Sequence, residues 1–155
     1  MNDLRCEVED LYSAYVECLD DGMLEQWPDF FTAACLYKII PRENFERNLP
    51  LALMLCESRG MLQDRVEALR RTSVYAPRVM RHLVSGMRIK DQERDVVRVH
   101  ASFAVLQTMA DEETKLFASG KYIDQLVRED GCLKFKEKLC VLDSNLILGS
   151  LIYPI

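Results

Sequence analysis

Chemistry at a protein site needs ligands, nucleophiles or acid–base groups, and this sequence supplies few. It holds two histidines, His82 and His100, six cysteines and one tryptophan in 155 residues. The cysteines fall at positions 6, 18, 35, 56, 132 and 140. None lies close enough to another for a C-x-x-C or any zinc or iron–sulfur spacing. A Rieske centre takes two Cys and two His ligands, and no Cys-x-His pair occurs. A mononuclear non-haem iron site needs two His and a carboxylate converging on one face. If His82 and His100 lie on adjacent antiparallel strands with Lys90 opposite Asp95, their rings point to opposite faces; a one-residue slip would bring them together.

For acid–base work inside a pocket, Asp29, Tyr37 and His82 are the inward candidates, set against the plainer reading of buried, hydrogen-bonded polar groups. For nucleophilic catalysis there is no G-x-S-x-G, no cysteine in a recognisable histidine context and no glycine-rich phosphate loop. The inventory does not argue for an independent enzyme.

These few groups must be positioned by an ordinary globular chain. At 49% hydrophobic and 29% charged, with net charge −5, the composition excludes disordered and fibrous classes. The length fits one domain, 1–155, with one real core. No apolar run approaches the ~20 residues of a membrane span, and the charged first ten residues contain no signal-peptide core. The expected setting is the reducing cytoplasm, with buried cysteines serving as small hydrophobes.

Leu4, Val8, Leu11, Tyr15 and Leu19 recur at helical spacing, with Asn2 or Asp3 as N-cap and Gly22 as the stop. Met23 to Phe31 predicts a short second helix interrupted by Pro28, and Met61 to Arg71 a third. Cys35 to Ile40 is strand-like, while residues 51–56 are too short to assign by periodicity. Beyond Pro77 the pattern has period 2. Val79–Lys90 is extended, Asp91–Asp95 is a charged turn, and Val97, Val99, Ala101, Phe103 and Val105 alternate with polar neighbours. Leu116–Leu126 predicts another strand. Asp130-Gly131 is a hairpin signal, and Leu133, Phe135, Leu139 and Val141 then alternate with lysines. Helices followed by a long antiparallel meander define an α+β class.

Two features suit contact with other molecules. Residues 65–90 carry seven Arg or Lys and one Glu, a +6 segment in a remainder of −11. The plain reading is a solvated or internally paired face. The functional one is an acidic protein partner met by Arg78, Arg81 or Arg88. A nucleic-acid footprint is disfavoured by the acidic total and the lack of interleaved aromatics. The second feature is the charge-free stretch after Asp143. Leu151, Ile152, Tyr153 and Ile155 belong either to the chain's own core or to a subunit interface.

The order of several blocks resembles a known family. GMLEQWPDFFTAACLYKI (Gly22–Ile39), MLQDRVEALR (Met61–Arg70), RHLVSGMRI (Arg81–Ile89), FASGKYIDQL (Phe117–Leu126) and GCLKFKEKLCVLDS (Gly131–Ser144) are similar to the small, or beta, subunits of aromatic-ring-hydroxylating dioxygenases. Trp27-Pro28 and the helix around Asp64-Arg65 look closest to the terephthalate dioxygenase and salicylate hydroxylase branch. Many family members have Asn where this chain has Gly86.

The resemblance implies a nuclear-transport-factor-2-like cone: a strongly curved, mostly antiparallel sheet closed by N-terminal helices, with residues 51–56 as a strand. It implies a non-catalytic subunit in aromatic compound catabolism, with no cofactor of its own. The Rieske 2Fe–2S cluster and mononuclear Fe(II) would sit on a large, or alpha, subunit. Three large would join three small subunits, built on a small-subunit trimer, with a reductase and in some systems a ferredoxin supplying electrons. No nucleic acid or membrane partner is expected. The alternative is a stand-alone cone-fold dehydratase, isomerase or hydrolase using a pocket His/Asp pair. That enzyme should place Asp29 or His82 at the base of an open cavity, whereas a structural subunit should fill its cone with its own side chains, such as Phe103, Phe117 and Phe135.

Overall fold

The computed structural model describes residues 3–71, 77–146 and 153–155. Helix α1 (Leu4–Asp20) begins at Asp3, whose carboxylate accepts from the Arg5 amide and satisfies one of the free donors of the first turn. It buries Val8, Tyr12, Tyr15, Cys18 and Leu19 on one stripe, and the chain leaves it through Gly22 at φ +70°. Residues Leu24–Phe30 form a 3-10 helix around Pro28, tighter than the α-helix expected. Strand β1 (Phe31–Pro41) follows at once, starting four residues earlier than the alternation suggests, and α2 (Arg42–Glu46) is one exposed turn. Strand β2 covers only Met54–Cys56, not the whole of 51–56, and α3 spans Arg59–Arg71.

The meander follows. Strands β3 (Arg78–Glu93), β4 (Val96–Met109), β5 (Lys115–Glu129) and β6 (Cys132–Leu142) pair antiparallel in succession. Asp130 and Gly131 both have positive φ, as a two-residue hairpin turn of mirror-image type requires. Strand β6 then pairs in parallel with β1, giving one six-stranded sheet in the order β2-β1-β6-β5-β4-β3. One face of the sheet packs with α1, α3 and the 3-10 helix around a single apolar core. This is the α+β, helix-closed sheet of the expected cone.

Local irregularities decide which side chains enter it. Between Gln125/Glu137 and Leu126/Phe135 the β5–β6 register shifts, leaving Lys136 as the extra residue. Before it Leu133 and Phe135 face inward; after it Lys138, Cys140 and Leu142 do. The lysine alternation expected along β6 is therefore inverted at Lys138. In β3 a shift between Ser85 and Arg88 coincides with Gly86 at φ +61°. A left-handed residue is required there, which suits Gly.

Candidate functional site

The interior of the cone and the outer face of β3 are where the candidate residues fall. His82 lies opposite Val105 on the inner face, while His100 lies opposite Arg88 on the outer face, so the two rings do not converge. The opposite-face reading holds even though Lys90 does not pair with Asp95, because two register shifts in β3 restore the odd offset. Among the described residues no three His, Cys, Asp or Glu side chains come together to hold a metal.

The His82 side chain is buried and Nδ1 donates to Asp20 Oδ1 at 2.6 Å. The same carboxylate accepts the His82 main-chain N–H, 3.1 Å from both oxygens, so the end of α1 is fastened to the edge strand. The other ring nitrogen, Nε2, has no hydrogen-bond partner among the described residues. The partner of this histidine is thus Asp20, not Asp29. Asp29 is exposed, and its main-chain oxygen takes a hydrogen bond from Lys134 at 2.9 Å.

Tyr37 is wholly buried. Its hydroxyl donates to the main-chain oxygen of Ile155 at 3.0 Å and accepts from the Ile155 N–H at 2.8 Å. Tyr15 donates to the same oxygen at 2.9 Å and accepts from Trp27 Nε1 at 3.2 Å. Edge-on contacts of Trp27 with Tyr37 and Phe31, and of Tyr15 with Phe135, fill the space between. Burial raises the Tyr15 and Tyr37 phenols well above their ordinary values, so they act here as neutral donors.

Sequence reasoning missed the polar centre of the core. Asp124 and Lys138 are cross-strand partners on β5 and β6, both with no exposed side-chain area, and Nζ is 2.8 Å from Oδ2. Tyr12 also donates to that oxygen. The Lys138 ammonium lies 3.6 Å from the Tyr122 ring centroid and 4.3 Å from that of Phe135, with Tyr15 and Tyr12 at 4.7 and 4.8 Å. Burial pushes the Asp124 carboxyl up, opposed by Lys138 and by the Tyr12 hydrogen bond. A signal existed for Asp124, which stands in the apolar phase of β5 between Tyr122 and Leu126. None existed for Lys138, because its inward turn depends on the bulge.

Outside, Arg81 and Arg88 are exposed on β3, beside Val79 and Leu83, which are 56% and 52% exposed. Arg78 is half-buried and donates to Gln107 Oε1 at 3.1 Å. Of the C-terminal candidates, Ile155 lies in the chain's own core at 1% exposure, and Tyr153 packs half-buried against that core. Leu151 and Ile152 lie outside the described residues. A groove of about 490 Å³ runs between α1 and β3; Tyr12, Ser13, Val84 and Met87 line it, and Asp29, Tyr37 and His82 do not.

The family described as the ring hydroxylating beta subunit matches residues 15–149. The anthranilate 1,2-dioxygenase small subunit of Burkholderia cepacia is 34% identical over 149 residues, 96% of this chain and 92% of that protein. Subunit beta 1 of the terminal oxygenase component of terephthalate 1,2-dioxygenase from a Comamonas species is 34% identical, covering 86% of each chain. A solved beta subunit assigned to an aromatic-ring-hydroxylating dioxygenase of Novosphingobium aromaticivorans superposes with TM-score 0.89 at 41% identity, over 97% of this chain and 95% of that one. A structure assigned as a scytalone dehydratase from the same organism shares the fold at TM-score 0.73 and 17% identity, over 96% and 90% of the two chains. No helix among the described residues is long and apolar enough to cross a membrane. The chain belongs to the ring-hydroxylating beta-subunit family, the small subunits of aromatic-ring-hydroxylating dioxygenases.

Proposed function

We propose that this chain is the non-catalytic small subunit of a cytoplasmic multicomponent oxygenase. It holds in register the large subunits that carry the Rieske cluster and the mononuclear iron, three large with three small, fed by a reductase directly or through a ferredoxin. The names of its relatives point to aromatic carboxylic acids, such as anthranilate or terephthalate, as the substrate class of the whole complex.

The observation that supports this reading is the filled cone. Phe103, Phe117 and Phe135 are buried in one core with Trp27, Tyr37 and Ile155, in the space a cone-fold enzyme would keep for substrate. Catalysis requires reacting atoms within about 3–3.5 Å of their catalytic groups. The alternative enzyme would rest on the His82–Asp20 pair, which is buried and does not line the α1–β3 groove. The work left to this subunit is then contact through its surface, where Arg81 and Arg88 stand ready for acidic large-subunit surface.

The test is native mass spectrometry of the complex purified from the host. An iron-containing larger partner at one-to-one stoichiometry is the expected result. A lone chain that turns over substrate would overturn the proposal.

A further inference from the structure

We propose that the leucine-rich edge of the sheet, beside β2, is where one small subunit packs against a second copy of itself. The proposal deepens the assembly reading and rests on it for the three-fold arrangement, but it names a surface apart from the basic face of β3. In the strand order β2-β1-β6-β5-β4-β3 the two lie at opposite ends of the sheet, so both can be occupied at once.

Residues 49–55 read LPLALML. Met54 is buried in the core, while Leu49, Leu51, Leu53 and Leu55 are between 42% and 73% exposed. Met61 of α3, whose sulfur accepts the Glu57 N–H at 3.3 Å, is 42% exposed beside them. A strand with one face in water normally carries polar residues on that face, and apolar residues on both sides mark a segment covered on both. The backbone that presents these leucines is fixed. The Leu49 N–H donates to the Asn44 oxygen at 2.8 Å, Asn44 Nδ2 to the Leu51 oxygen at 2.9 Å, and the Leu53 N–H to the Ile39 oxygen at 2.8 Å. Strand β2 has only three residues, too few to template a visiting strand, so contact here is made by side chains.

Charge points to the occupant. The charges of residues 42–59 sum to zero. Arg42 and Glu46 close at 2.8 Å, Arg47 and Glu43 at 3.1 Å, and Arg59 reaches Glu129 at 3.2 Å; Glu57 stands outside these pairs. An acidic large-subunit surface is drawn instead to the +6 segment that holds β3. Two copies of the chain carry −5 each, and a face with its charges already closed lets them meet without bringing like charges together. Around a three-fold axis the same strip from each copy converges on its equivalents, which covers the leucines with one another.

The test is sedimentation equilibrium of the full chain without its large partner. The parent is expected to self-associate, and Leu51→Glu with Leu53→Glu to weaken that association about hundredfold or more. Both side chains are exposed, so the urea midpoint of the monomer should not move. If the double variant misfolds, Leu51→Ser alone should weaken association about tenfold. Hydrogen exchange of the parent at low and high concentration should show added protection within residues 49–56. A parent that stays monomeric at about 100 μM, or an association that these variants leave intact, would overturn the proposal. Protection confined to residues 81–88 would do the same. So would protection of residues 49–56 that arises only when the large subunit is added, since the surface would then belong to that partner. The assembly reading fails separately, when native mass spectrometry finds no larger iron-containing partner.

Discussion

Lys138 and Asp124 face each other across β6 and β5 at 2.8 Å, and neither side chain has any exposed surface. Such a pair adds little net stability, because desolvation offsets most of the Coulomb attraction. Its loss by halves is another matter. Lys138→Met strands a buried carboxylate and is expected to cost about 3–5 kcal/mol in urea unfolding. Adding Asp124→Leu should recover most of that loss. A double variant as unstable as the sum of the single ones would show that the two residues are not coupled.

Four buried tyrosines, Tyr12, Tyr15, Tyr37 and Tyr122, have phenols raised well above 10 by burial. Burial likewise pushes the thiols of Cys18 and Cys140 up, to about 11 and about 12 from 9.0. Each is an acid whose folded pKa exceeds its unfolded one. Above pH 9 for the thiols and 10 for the phenols, the unfolded chain binds fewer protons than the folded chain. Stability should therefore be full below these values and fall as pH rises through them, by up to about 1.4 kcal/mol per pH unit for each group engaged. Urea midpoints between pH 8 and pH 11 would check the slope, and phenolate absorbance should rise in step with unfolding.

The same burial predicts which thiols react. Cys6 and Cys132 are exposed, while Cys18, Cys35, Cys56 and Cys140 are buried. At pH 8 a thiol-specific reagent should modify the exposed pair rapidly and the buried four only on unfolding. Mass spectrometry of the labelled peptides distinguishes the two classes.

Gly120 is required for contact between strands. A Cβ at this position would lie 2.0 Å from the Val141 carbonyl oxygen, a backbone atom that cannot step aside. Gly120→Ala should push β5 away from β6 and cost about 3 kcal/mol or more, against the half-kilocalorie scale of ordinary surface changes. Thermal unfolding of the variant gives the answer directly.

Charge reversal on β3 tests the docking face. Arg81→Glu with Arg88→Glu should leave the isolated subunit within about 0.5 kcal/mol of the parent. Association with the large subunit should weaken about tenfold or more at low salt, and less at high salt. Unchanged association at low salt would remove β3 from the interface.

The helices, the strand-rich second half and the Asp130-Gly131 turn were legible because each has a strong local period or a dedicated turn residue. The resemblance carried the cone. The interior was legible only in part. His82 and Tyr37 are inside as expected, but Asp29 is outside, because the 3-10 geometry around Pro28 turns Trp27 inward and leaves Asp29 on the surface. Lys138 was hidden by one extra residue at Lys136, since a bulge reverses the phase of a strand without altering its composition. The seat of Ile155 depends on partners as many as 140 positions away, and no local pattern reports such a distance.

Where α1 ends, the Asp20 carboxylate takes up the main-chain N–H of His82 on the outermost strand. That donor is no longer on offer to a visiting strand. At this point a partner cannot extend the sheet by backbone pairing and must instead read side chains such as Arg81 and Leu83. Backbone pairing accepts almost any sequence, whereas side-chain recognition can be retuned one substitution at a time. Capping of the edge thereby leaves recognition at this place to exposed side chains, each of which a single substitution can change.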